Sequence, residues 1–198
     1  MRVSRAQAAD NRVRIVRTAA RMFREHGFDG VGVDAIMNGA GLTHGGFYGH
    51  FRSKDDLTAE AIALSLARSA DEQRCYASLS DLVAGYLSER HCADRANGCA
   101  VAALGADMAR QGQGVRRVLT SYVRDQLDHF TRLLLSGTMV SRRKRAITTL
   151  AGMVGALTLA RALADPALSE EILAVARDVF AGPRPQRRSV RQDRGVEH

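Results

Sequence analysis

The chain has no tryptophan and few aromatic residues of any kind, 5% in all. A β-sandwich fills its core with aromatic and β-branched side chains, so this composition speaks against one. Only 3 prolines occur in 198 residues, which favours helices packed on helices. Cys75, Cys92 and Cys99 are an odd set with no CxxC pair. They argue against a disulfide framework and against a zinc-finger spacing, and fit reduced thiols in the cytoplasm. The basic N-terminus is not followed by an apolar segment, so no signal peptide is expected. No GxSxG, HExxH or P-loop occurs, and no carboxylate pair has a defensible catalytic spacing. No enzyme activity, cofactor or metal site is therefore expected. The longest apolar stretch, 146–164, contains Thr148, Thr149, Thr158 and Arg161. It reads as a buried interface helix, not a membrane span.

What is abundant is Ala, Leu, Val and Arg. Hydrophobic residues at 45% and charged residues at 25% support a packed core. Ala, Leu and Arg are strong helix formers, and the expectation is an all-α fold. The net charge is +8, which favours an anionic partner such as nucleic acid. Lys54 and Lys144 are the only lysines. Arginines crowd both ends: Arg2, Arg5, Arg12, Arg14, Arg17, Arg21 and Arg24 at one, Arg184, Arg187, Arg188, Arg191 and Arg194 at the other.

Hydrophobic periodicity predicts about nine helices. Residues 1–9 read as a flexible basic arm. A helix from Asp10 carries Val16, Ala19, Ala20 and Phe23 on one face and stops at Gly27. A short second helix holds Val33, Ile36, Met37 and Ala40 and breaks at Gly41. Thr43 is placed to cap a third short helix with its side chain, and Leu42 and Phe47 have hydrophobic-staple spacing. Ser53 caps a fourth helix reaching about Tyr76, with Asp55 and Asp56 in its first turn. Further helices are expected over 79–90, 99–109, 115–134, 142–164 and 168–181, with 91–98 a loop, and Gly137 and Gly182-Pro183 as stops. These divide the chain into a three-helix unit, 10–52, a larger helical unit, 53–182, and a disordered Arg-rich tail, 183–198.

Two short helices joined at Gly41 make a helix-turn-helix, whose second helix enters the DNA major groove. That helix is covered by His44, Gly45, Gly46, Tyr48, Gly49 and His50. Bare glycine backbone admits close approach to a phosphate or base edge. The segments Gly27-Phe28-Asp29-Gly30, Ala40-Gly41-Leu42-Thr43 and Tyr48-Gly49-His50-Phe51, followed by Lys54 and Leu57, resemble the DNA-binding domain of the tetracycline-repressor (TetR) family over about residues 13–57. The resemblance implies a homodimeric, ligand-responsive repressor that binds an inverted-repeat operator as double-stranded DNA. By position it implies that Thr43, Tyr48, His50 and Lys54 meet the DNA backbone, while His44, Gly45 and Gly46 face base edges. Many members have Thr or Ser where Val31 and Gly32 stand, and Thr where Gly46 stands, so direct readout by this chain is thinner.

The resemblance also implies that 53–182 binds a small-molecule effector and dimerises. Cys99, Met108, Tyr122, Gln126, His129 and Phe130 are the candidate ligand contacts. Gly152, Gly155, Ala156, Leu159, Ile172 and Val179 are the candidate dimer contacts, the small residues among them allowing close helix approach. A cysteine at a helix start can react as a thiolate, so a thiol sensor at Cys99 is one alternative. A basic packing protein without sequence preference is another. His91, Cys92 and Cys99 are better read as loop residues than as metal ligands.

Overall fold

The computed structural model describes residues 4–181, and these form an all-α architecture, as the composition predicts. In chain order the elements are α1 (Arg5–His26), α2 (Val33–Gly39), the 3-10 helix η1 (His44–Gly49), α3 (Lys54–Arg74) and α4 (Leu79–Tyr86). Then come α5 (Glu89–Ala93), α6 (Ala100–Met108), α7 (Gln113–Leu133), α8 (Met139–Ala162) and α9 (Pro166–Ala181). The expected tail, with its five arginines and the Gly182-Pro183 stop, lies outside the described residues.

Several boundaries differ from expectation, each because of a side-chain cap. The basic arm is helical from Arg5, since the Ser4 hydroxyl accepts from the Gln7 N–H at 3.1 Å. The expected helix over 79–90 is two helices, and 91–93 is helix rather than loop. Ser88 splits them: its hydroxyl donates to Gly85 O at 2.8 Å and accepts from the His91 N–H at 3.2 Å. A serine that serves both ends competes with the continuous backbone ladder. Thr138 starts α8 early by accepting from the Ser141 N–H. Ser53 caps α3 as expected, bonding the Asp56 N–H at 3.1 Å.

Two buried clusters organise the helices. The first gathers Ile15, Phe23, Ile36, Met37, Phe47, Leu57 and Ile62 from the N-terminal helices, and α6 contributes Ala100, Leu104 and Met108 to it. The second joins α4, the end of α7, α8 and α9 around Leu82, Val83, Phe130, Met153, Leu157 and Leu173. Cys99 and Ala102 belong to that second cluster, so α6 touches both.

Helices α8 and α9 lie antiparallel: Ser169 Oγ donates to Ala160 O, and Phe180 sits over Gly152. A Cβ on Gly152 would come within 2.0 Å of the Phe180 ring. This corrects the reading of the small-residue face. Gly152 is occupied within its own chain, and Ala156 is in its own core at 9% exposure. Ile172 also packs partly against that core. Gly155, Leu159 and Val179 face outward, joined by Leu163, Leu168 and Val175.

Candidate functional site

The turn between α2 and η1 is a left-handed glycine cap. Gly41 has φ 67°, its N–H donates to Asn38 O, and the Leu42 N–H reaches back to Met37 O, both at 2.9 Å. Leu42 and Met37 pack in the same core, which closes the cap hydrophobically. An L-residue pays steric energy at this φ, and a Cβ here would also stand 2.9 Å from Arg14 Nη2. Gly41→Ala should cost about 1–2 kcal/mol, lowering Tm by roughly 2–8 °C in a thermal melt. An unchanged Tm would mean that the turn adapts to the side chain.

The expected recognition helix is present, but it is 3-10 rather than α. Gly46 N–H donates to Thr43 O and His50 N–H to Phe47 O, the shorter repeat of that helix. Three glycines in six residues weaken α-helix propensity, and the tighter winding needs no long run. Thr43 makes no side-chain cap bond, contrary to expectation, and remains exposed. Phe47 anchors the segment at 1% exposure and stacks on Phe51 at 5.6 Å. The opposite side is open: Thr43, His44, Gly45 and Gly49 are exposed, and Tyr48 is 72% exposed. A Cβ on Gly45 or Gly49 would meet nothing within 4 Å, so packing does not demand these glycines. Gly46 is half-buried over Met37, and His50 is half-buried beside Phe51. His44 pairs with the Asp34 carboxylate of α2. Val31 is in the core and Gly32 starts α2 without a side-chain cap.

Several early arginines turn inward as braces. Arg12 donates to His50 O at 2.6 Å, pairs with Glu60, and lies 4.3 Å over the Phe51 ring. It thereby ties α1 to the end of η1 and to α3. Arg14 donates to Ala40 O, whereas Arg21 stays exposed and pairs with Glu25 one turn along the same helix. Arg24 is buried; its Nε donates to Ala96 O at 2.6 Å, and its Nη1 donates to Ser65 Oγ. Burial lowers its pKa, with the Arg68 charge acting in the same direction. Lys54 donates to Phe28 O at 2.7 Å, which pins the start of α3 to the loop after α1. Helical phase alone distinguishes these inward arginines poorly, because their long stems reach backbone carbonyls on other elements.

Two cavities lie back to back in the larger unit. An apolar chamber of about 260 Å³ is walled by α6, α7 and α8, including Val101, Leu127, Phe130, Leu150 and Met153. A polar cavity of about 560 Å³ opens beside it among Arg68, Glu72, Arg90, His91 and Asp94. Gln73, Tyr86 and Cys99 line both. Of the six candidate ligand residues, Cys99, Tyr122 and Phe130 line the chamber. Met108 sits instead in the core shared with the N-terminal helices. Gln126 and His129, one and two turns beyond Tyr122 on α7, are outside the lining of either cavity. Gln73 and Tyr86 were missed, although Gln73 is a polar residue in phase with buried Leu66, Ser69 and Ala70, which is the pattern of a buried polar group.

His91 ties α4 to the start of α6. Its Nδ1–H donates to Tyr86 O at 2.5 Å, and its Nε2 accepts the Cys99 N–H at 3.0 Å. Only the neutral ring can do both. Burial lowers the His91 pKa, partly offset by the bond to Tyr86 O. His129 is lowered too, again mainly by burial. The unfolded chain therefore binds these protons first. Stability should be fully present above about pH 6.5 and fall as pH drops through and below that value. His91→Asn should flatten the fall in Tm measured from pH 8 to 5, leaving the part due to His129. A variant slope equal to wild type would remove His91 from this role.

Residues 15–61 match the model of the bacterial regulatory proteins, tetR family. The chain is 34% identical over 64 residues to the HTH-type transcriptional regulator AcrR of Shigella flexneri, covering 32% of this chain and about 30% of the relative's length. Solved structures share the whole fold at low identity. The reduced form of NemR from E. coli aligns with a TM-score of 0.71 at 19% identity, over 87% of this chain and 95% of NemR. A TetR-family regulator from Cytophaga hutchinsonii aligns with 0.72 at 18%, over 92% and 98%. The matched segment spans the glycine-capped turn, η1 and the start of α3, and residues 15–61 form a DNA-binding helix-turn-helix domain of the tetR-family type.

Proposed function

We propose that this chain is a homodimeric, effector-controlled repressor acting in the cytoplasm on an inverted-repeat operator. The observation that carries the reading is the outward face of η1: bare glycine backbone beside Thr43, His44 and Tyr48, held on a buried Phe47. Residues 10–52 are the DNA-binding unit and 53–182 the effector and dimer unit. Thr43, Tyr48, His50 and Lys54 position the protein on phosphates, whereas His44, Gly45 and Gly46 meet base edges. The outward apolar residues of α8 and α9 (Gly155, Leu159 and Val179 among them) form the two-fold interface. The chamber holds the effector. Its signal has a short path: Arg24 of α1 grips Ala96, three residues before cavity-lining Cys99, and α6 is packed against α1. An effector shifts DNA affinity by its preference for one arrangement of these contacts.

The test is binding to operator fragments selected from genomic DNA, compared with random duplex at physiological salt. A preference of at least about 10³-fold supports a regulator; near-equal binding supports a packing protein without sequence preference. Lys54→Ala should weaken all sequences alike and reduce the salt slope by about one. His44→Ala should change the preferred base. The position of Cys99 between the two cavities favours one second reading, in which an electrophile modifies this thiol. Electrophile-driven operator release that disappears in Cys99→Ser would establish it.

A further inference from the structure

The effector reading leaves the chemical class of the ligand open, and the polar end of the chamber narrows it. Gln73 and Tyr86 are 6% and 7% exposed. Gln73 spends its amide nitrogen on the Tyr122 hydroxyl, 3.3 Å away. Among the described residues, Gln73 Oε1 has no hydrogen-bond partner, and the Tyr86 hydroxyl has at best the weak partner of the Cys99 thiol. Buried polar atoms are seldom left so, because each forgoes the hydrogen bonds it would make in water. Both atoms belong to side chains that line the chamber, beside an otherwise apolar wall.

The two atoms ask for different things. An amide oxygen can only accept, so it requires a donor; a phenol can donate to an acceptor. One hydroxyl group satisfies both at once. Charge is excluded by the lining: among the described residues that wall the chamber, none carries a carboxylate, ammonium or guanidinium. The nearby arginines, Arg68 and Arg90, line the outer cavity only. Burial also pushes the Tyr86 and Tyr122 hydroxyls well up, so the site itself stays neutral. A carboxylate ligand would enter without a counter-charge, at a heavy desolvation cost. The volume, about 260 Å³, lies just below the usual range for drug-sized ligands and suits a single ring.

We propose that the chamber binds a neutral, single-ring hydroxyl compound, whose O–H donates to Gln73 Oε1 while its oxygen accepts from the Tyr86 hydroxyl. The proposal rests on the reading of the chamber as the effector site. The test is calorimetric titration of the full chain with three probes of nearly one shape: p-cresol, p-xylene and 4-methylbenzoate. Cresol should bind about tenfold more tightly than xylene, the effect of one satisfied polar pair, and the benzoate should not bind. In Tyr86→Phe the preference for cresol over xylene should fall towards one, while xylene binding persists and shows that the chamber is intact. Gln73→Met should behave likewise. Xylene binding as tightly as cresol, or the benzoate binding best, would overturn the hydroxyl class and leave the chamber a ligand site. Failure of all three probes would overturn both the class and the effector reading of the chamber. A cresol preference that survives in both variants would place the hydroxyl elsewhere and refute the assignment.

Discussion

Gly45→Glu is expected to abolish operator binding while leaving the chain as stable as wild type, or slightly more so. The two effects have opposite signs for one reason. Gly45 is exposed, its φ is not in the left-handed region, and a Cβ there would meet nothing within 4 Å. Replacing a helical glycine that has no packing role removes its entropy cost, up to about 1 kcal/mol. The same open space is where a phosphate or base edge would stand, and a carboxylate there brings like charge against DNA. Such juxtaposition costs several kcal/mol, roughly a hundredfold or more in Kd. Gly45→Ala should weaken binding less, through the lost close approach alone. Paired melting and operator-titration curves decide the matter. If Gly45→Glu binds operator normally, η1 does not face DNA and the interface lies elsewhere.

Leu159→Arg combined with Val179→Arg should convert a dimer into a folded monomer that no longer binds the operator tightly. These side chains are 57% and 65% exposed on one chain, so the substitutions do not disturb that chain's core. In a two-fold interface each residue counts twice. Burying a Leu or Val contributes about 1.5–3 kcal/mol, and each arginine would add the cost of an unpaired charge. The dimer constant should therefore fall by at least ~10³-fold. Operator affinity should fall with it, because two half-sites about 34–36 Å apart require two joined recognition elements. Sedimentation velocity at micromolar concentration, with melting curves as control, separates dissociation from unfolding. Ala156→Glu would be a poor probe, since Ala156 belongs to its own chain's core. A double variant that stays dimeric and keeps its operator affinity would rule out this face as the interface.

Helix type, helix order and the turn at Gly41 are legible from the residues alone. They depend on interactions between positions a few residues apart: apolar phase along α1 and α3, the Ser53 hydroxyl on the Asp56 N–H, and a glycine where φ must be positive. The Gly27–Leu57 pattern is likewise local, and it pointed to the DNA-binding family directly. Local rules failed where a side chain had a choice of partner. Ser88 could have continued a helix, and instead it ended one and began another. The glycines of η1 allowed either an α or a 3-10 winding, and the local sequence does not choose between them.

The remaining features belong to the tertiary structure. Arg12, Arg14 and Arg24 look like DNA-facing charge in sequence, yet each reaches a carbonyl 26 to 72 residues away. Gly152 looks like an interface residue until Phe180 of α9 is seen to fill it. Gln73, Tyr86 and Cys99 come from three separate helical regions, and no spacing between them signals a common cavity wall. Periodicity records which side of a helix is apolar, because that is a property of neighbours on the same helix. What that side packs against, and which buried polar atom finds a partner there, depends on long-range closure of the chain, which short-range spacing does not encode.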